Sequence, residues 1–120
     1  MDLKKYIYTR GENAGADKEF EQGNIYGKVK LGSSHIFWKK GFWWYKVDMA
    51  RVERVYRRVE EVRARVCCGP ANFDIQKLVL LLKDGESLTL LIGEGNVREA
   101  ECLYQELKEK HPELQYGKVD

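Results

Sequence analysis

Residues 47–70, VDMARVERVYRRVEEVRARVCCGP, carry six of the chain's eight arginines, and their reading decides the fold. Met49, Val52, Val55, Tyr56, Val59, Val62 and Val66 recur at nearly helical spacing, and Gly69-Pro70 stands where a helix would stop. Periodicity alone therefore predicts a basic recognition helix over Asp48 to Cys67. The choice of apolar residue argues the other way. Five of those seven are valine, whose branched Cβ loses rotamer freedom in a helix and fits a pleated surface. Split near Glu60, the stretch becomes VERVYRRV and EVRARVCC. In the second half Val62, Ala64 and Val66 alternate with Arg63 and Arg65, the period of a strand. The expectation is two strands.

The neighbours agree, since sequential antiparallel strands tend to lie side by side. NIYGKVKL, HIFWKK and FWWYKV are β-branched and aromatic runs separated by GSS and KG, which suit tight turns. In the first run Ile25, Val29 and Leu31 fall on one predicted face, with Lys28 and Lys30 on the other. Further on, FDIQKLVLLLK and ESLTLLI flank Asp84-Gly85, a dipeptide suited to a two-residue type I′ turn. The unbroken Leu78–Leu82 run predicts a strand covered on both faces. One C-terminal helix follows. Asn96 and Glu99 have capping-box spacing, Val97, Ala100, Leu103, Tyr104 and Leu107 form one stripe, and Pro112 ends it. Residues 1–23 read as an extension: a short strand from Lys5 to Arg10, then a polar loop, GENAGADKEFEQG, with one helical turn around Asp17 to Glu21.

A chain of 120 residues makes one domain with a real core. The net charge is only +2 and the pI about 8.4, below the value of roughly 9 usual for dedicated nucleic-acid domains. No stretch approaches the roughly 18 apolar residues of a membrane span, and MDLKKYIYTR has no leader-like apolar core. Three cysteines, two of them adjacent, make no disulfide framework, so reduced thiols in a cytoplasmic protein are expected.

Strand order followed by a capping helix resembles the bacterial pleckstrin-homology-like (PH-like) domains. The residues that carry the likeness are HIFWKKGFWWYKV, DMARVERVYRRVEEV and the LVLLLKDGESLTLLIG hairpin leading into the helix, spanning about residues 24–110. The resemblance implies a mainly β fold: a barrel of about seven antiparallel strands plugged by the C-terminal helix, with residues 111–120 as a tail. It also implies a basic pocket around the first two strands, at Lys28, Lys30 and Lys39. The GSS loop, shorter than in lipid-binding relatives and without a basic residue, argues against headgroup binding.

Motifs for chemistry are weak. Gly93-Glu-Gly95 precedes a helix, but Arg98 stands where a third phosphate-binding glycine belongs and the strand lies in a hairpin. Cys67, Cys68 and Cys102 lack metal-ligand spacing, so no metal or other cofactor is expected. Ser33, Ser34 and His35 are neighbours with no third group in view, and His111 reads as a helix cap. The expectation is a protein that is not an enzyme. Two basic features remain. Lys39, Lys40, Trp43 and Trp44 surround a hairpin tip, where one tryptophan should be buried and the lysines exposed. Arg51, Arg54, Arg57, Arg58, Arg63 and Arg65 interleave with Glu53, Glu60 and Glu61, as a charged face or an ion-pair lattice. Arg54, Arg57, Arg58, Lys39, Lys40 and Trp43 are the candidate binding residues. The expected role is a binding or scaffolding module for protein, a second copy of the chain included. The alternative is recognition of anionic phosphate, in lipid or nucleic acid, which the near-neutral charge disfavours.

Overall fold

In the computed structural model, which describes residues 3–66, 69–95 and 97–117, the arginine-rich stretch is strand. It forms one strand rather than two: β5 runs unbroken from Val52 to Val66 and pairs antiparallel with Gly69–Leu82, which is β6. The helical spacing has a local cause. The register slips between Val52 and Arg54, so Glu53 is bulged out, and Val52 and Val55 both reach the core, fully buried, although they are three apart. A bulge thus imitates one turn of helical periodicity. Cys67 and Cys68 lie outside the described residues.

Two four-stranded sheets make up the frame. The first is a meander of β1 (Asn24–Tyr26), β2 (Val29–Leu31), β3 (His35–Lys40) and β4 (Trp43–Asp48). The second has the order β7-β6-β5-β8, with β7 at Ser87–Glu94 and β8 at Gln115–Tyr116. A closed barrel of about seven antiparallel strands is not what forms. There are eight strands among the described residues, the sheets stay open, and β8 runs parallel to β5. NIYGKVKL accounts for part of this. Gly27 takes a φ of +61 and turns the run into a β1–β2 hairpin, so Ile25 is exposed while Val29 and Leu31 are buried. The first strand is therefore too short to continue along β7, and only the Lys28 amide donates to the Ile92 carbonyl (2.9 Å) there.

β6 is an inner strand of its sheet, between β7 and β5, and Leu78, Val79 and Leu80 are buried, as the continuous leucine run predicts. The following turn differs in type. Among described residues no residue but glycine has positive φ, so Asp84 does not adopt the type I′ conformation. The loop is Lys83–Gly85, closed by Gly85 N to Leu82 O (3.0 Å) and Leu82 N to Glu86 O (2.8 Å), with Gly85 at φ +94. Asp84 Oδ1 accepts from the Glu86 amide instead (3.0 Å).

The core lies between the sheets. Ile36, Trp38 and Val47 meet Val55, Leu80, Leu90 and Ile92, and the helix α2 (Val97–Lys110) adds Ala100, Leu103 and Leu107. Asn96, the expected cap, lies outside the described residues. The N-terminal region departs most from expectation. Leu3–Tyr6 is a 3₁₀ helix, and only Ile7 makes a bridge, to Tyr45. A strand would place Tyr6 and Tyr8 on one face, whereas Tyr6 enters the main core and Tyr8 a second cluster with Ala16 and Phe37. The chain here wraps around the edge of β4. The polar loop contains a nine-residue helix, α1 (Ala14–Gln22), whose cap Asn13 accepts from the Ala16 amide. It seats Phe20 edge-on against Phe37 and Trp44.

The tail is integrated. Beyond pairing with β5, Tyr116 presents its hydroxyl to the carbonyls of Leu107 (2.8 Å) and His111 (2.7 Å) at the end of α2. Tyr116→Phe is expected to cost about 1 kcal/mol in urea unfolding, because the hydroxyl's hydrogen bond to the end of α2 is lost, while Leu107 O keeps the His111 amide and His111 O the Leu114 amide as donors.

Candidate functional site

Glu19 supplies the third group missing beside Ser34 and His35. Its Oε2 accepts from the Ser34 hydroxyl (2.7 Å) and lies 2.9 Å from His35 Nδ1, while Oε1 accepts from the amides of Ser34 (2.5 Å) and His35 (2.9 Å). Gly32 permits this approach, since a Cβ there would stand 2.8 Å from Glu19 Oε1. The geometry is not that of an activated nucleophile. Ser34 Oγ lies 3.1 Å from His35 Nδ1, the same ring nitrogen that faces the carboxylate, whereas a proton relay uses the two nitrogens separately. The cluster instead clamps the β2–β3 turn to α1. Burial pushes the Glu19 carboxyl upward, but the hydrogen bonds from Ser34 and His35 outweigh it and bring the pKa down to about 2. A depressed carboxylate stabilises the fold above its unfolded value, near 4.5, and that contribution drains as pH falls towards about 2. Glu19→Gln should lose about 2 to 3 kcal/mol near neutral pH and flatten the acid limb of the stability profile, as followed by circular dichroism.

The remaining weak motifs resolve simply. Gly95, at φ +65, donates to the Asp74 carbonyl (2.7 Å) in a turn between β7 and α2. Cys102 is a free, exposed thiol, and among the described residues no cluster of potential metal ligands forms. His111 is buried after the last turn of α2, its amide donating to Leu107 O (2.7 Å).

The structure divides the candidate arginines. Arg54 donates to the Gly117 carbonyl (2.9 Å) and to Gln115, holding β8 in place. Arg57 is half-buried; it donates to the side chain of buried Gln76 (3.1 Å) and lies 3.9 Å from Glu101 of α2. Arg51 pairs with Asp84 and lies over the Tyr6 ring. These three form contacts within the chain, and Arg58 is exposed. The side chains of Arg63 and Arg65 lie outside the described residues. Arg57→Ala should therefore destabilise by roughly 1 to 2 kcal/mol, since buried Gln76 Oε1 loses its donor, while Arg58→Ala stays within about half a kcal/mol. Urea titration of the two variants separates them.

The lysines assemble elsewhere. Lys28, Lys39, Lys40 and Lys77 line a cleft of about 420 Å³ with Trp38, Gly41, Ile75, Thr89 and Leu91. The Lys39 amide donates to the Lys28 carbonyl (2.9 Å), tying the β1–β2 turn to the β3–β4 hairpin. Lys30, the third position implied by the resemblance, is not in the cleft; its ammonium sits 4.2 Å from the Phe20 ring centroid. Lys77 arrives from β6 and pairs with Glu60 (2.5 Å), a contribution no local motif announces. At the tip Trp44 packs on Phe20, as expected for one of the two indoles, while Trp43 is 59% exposed. Phe42, which sequence reasoning passed over, is 98% exposed. Its position after Gly41 in a two-residue turn was the available signal.

A second open feature is the edge of β5. β8 covers it only at Arg54 and Val55, and among the described residues no strand pairs beyond that point. Val59, on the open stretch, is 53% exposed. No helix among the described residues is long and apolar enough to cross a membrane. Comparison with protein-family models, curated proteins and solved structures finds no match, so the reading of these surfaces rests on their own geometry.

Proposed function

We propose that this chain is a non-catalytic binding module, PH-like in its build, that recognises a protein through the open edge of β5. The order of elements supports the PH-like reading: a four-strand meander, then the β5–β6–β7 meander, then a long helix. The observation that carries the function is the edge of β5 turned away from β6, where among the described residues no strand pairs with Tyr56 to Glu60, beside exposed Arg58 and Val59. Unpaired strand edges accept an added strand, whose main-chain hydrogen bonds give affinity and whose side chains give specificity.

The same geometry disfavours a second copy as that strand. β8 fills the lane beside Arg54 and Val55, so an antiparallel copy pairs no earlier than Tyr56 against Val66. That register sets position 57 against 65, arginine on arginine, and Glu61 against itself. Like charges directly opposite destabilise a strand pair. A partner strand carrying acidic residues fits better.

Light scattering is accordingly expected to find a monomer at micromolar concentration. From a lysate of the source cells, the wild type should retain a protein partner that Val59→Lys loses with its circular dichroism unchanged. Equal retention by Val59→Lys would remove the β5 edge as the site. A dimer abolished by that variant would reinstate self-pairing.

A further inference from the structure

We propose that the β3–β4 tip of one copy of this chain docks into a pocket at the opposite end of β4 on a second copy, Phe42 and Trp43 entering the pocket and Lys39 and Lys40 meeting the carboxylates of Glu53 and Glu113. Burial is anomalous at the tip. Phe42 is 98% exposed and Trp43 59% exposed, in a domain whose other aromatic side chains largely pack inward. The turn does not require them, because Gly41 alone supplies the positive φ, +65, and any polar residue could follow it. Lys40 is the cross-strand partner of Trp43, and Lys39 of Trp44. Among the described residues no carboxylate forms an ion pair with either lysine. The complement of such a tip is an apolar pocket with an acidic rim.

The chain carries that complement itself. A pocket of about 380 Å³ opens where β4 gives way to β5, and it is lined by Met49, Val52 and Leu114. Met49 and Val52 belong to the core, so these apolar walls are already fixed. Exposed Glu53 and Glu113 line the same pocket and outnumber its one cation, Lys83. Glu53 stands there because the bulge between Val52 and Arg54 turns it out of the ladder, and bulges serve to re-aim side chains. Among the described residues no ion pair engages Glu53, and Glu113 meets only His111 Nδ1, at 3.3 Å. Position then selects a second copy as the occupant. Trp43 begins β4 and Met49 follows its end, so tip and pocket lie about 20 Å apart along the strand and cannot meet within one chain. Between copies they form a head-to-tail contact, which repeats into a row unless its rotation closes a ring. So small a tip buries far less than the roughly 1,200 Å² of a stable complex, so the contact is weak and leaves a monomer at micromolar concentration. Copies held close by a shared partner would reach it through their raised effective concentration.

The test is sedimentation equilibrium at low salt and up to about 0.5 mM protein, where so weak a contact populates. The mean mass of the wild type is expected to climb above that of a monomer with concentration, and to fall back as salt is raised. Phe42→Ser, and the pair Glu53→Lys with Glu113→Lys, change exposed positions only. Each should weaken the association by roughly tenfold or more while circular dichroism stays unchanged. Mixed one to one, these two proteins should form a dimer and stop there, since between them they keep one intact tip and one intact pocket. Val59→Lys should associate like the wild type, which separates this contact from the β5 edge. A wild type that stays monomeric throughout overturns the proposal, as does association that survives Phe42→Ser or that Val59→Lys abolishes. Association that the pocket pair leaves intact overturns it too, because the tip would then be pairing with something other than this pocket. Failure of the mixed variants to pair has the same force. Binding of anionic vesicles or of a different protein by a monomeric wild type, lost in Phe42→Ser, assigns the tip to that occupant instead.

Discussion

The β5–β6 ladder is the constraint on which the second sheet depends. Its register runs from Val52 opposite Leu82 to Val66 opposite Gly69, and every other element of that sheet is placed against it. β7 joins β6 only as far as Ile75, and β8 joins β5 only at Arg54 and Val55. The half of the ladder near Leu82 is therefore core, whereas the half beyond Glu61 and Asp74 is a two-stranded arm. A two-stranded ribbon is marginal by itself, so its order relies on the half anchored beneath α2. The bulge at Glu53 makes the anchoring possible. It returns Val55 to the core side beside Val52, and the register beyond follows from that phase.

The two kinds of basic residue divide the labour. Arg51, Arg54 and Arg57 each reach another element of the same chain: the Asp84 loop, β8 and α2. The planar, multiply donating guanidinium suits that bridging role. Among the described residues Lys28, Lys39 and Lys40 form no comparable ion pairs and stay exposed around a cleft. Net charge, near zero overall, hides this separation, because it sums arginines satisfied within the fold with lysines facing solvent.

How much of this was legible depended on whether the deciding contact was local. Valine content identified β5 as strand, and the leucine run placed β6 in the middle of its sheet, because both signals lie within the segment itself. The stripe of α2 was equally plain at Ala100, Leu103 and Leu107, which are buried, whereas Val97, expected to begin it, is 43% exposed in the first turn. What was missed required distant partners. Tyr6 and Tyr8 look like one face of a strand until β4 provides an edge to wrap around, and HPELQYG looks like a tail until Tyr116 reaches the last carbonyls of α2. Glu19 lies in a segment dominated by polar residues, and only folding brings its carboxylate to Ser34 and His35. Gly27 was readable in principle, since a glycine within a strand pattern marks a bend, but the alternation of Val29 and Leu31 with lysine masked it.

Consistency between levels singles out the tip in a way that no single feature does. Elsewhere local chemistry and global packing agree: Asn13 caps α1, Gly32 makes room for Glu19, Gly85 closes its loop. At Gly41-Phe42 the turn chemistry is satisfied by the glycine alone, and the phenylalanine adds nothing to the core. Exposed aromatic surface next to lysines that pair with no carboxylate among the described residues costs solubility and contributes nothing to the fold's own stability. Positions where a sequence departs from local good sense without a structural return are where function is expected to lie. The open β5 edge is a weaker case of the same kind, since arginines and glutamates along it already serve to discourage indiscriminate pairing. Nothing of that protective sort covers Phe42, whose ring is left for something outside the chain to bury.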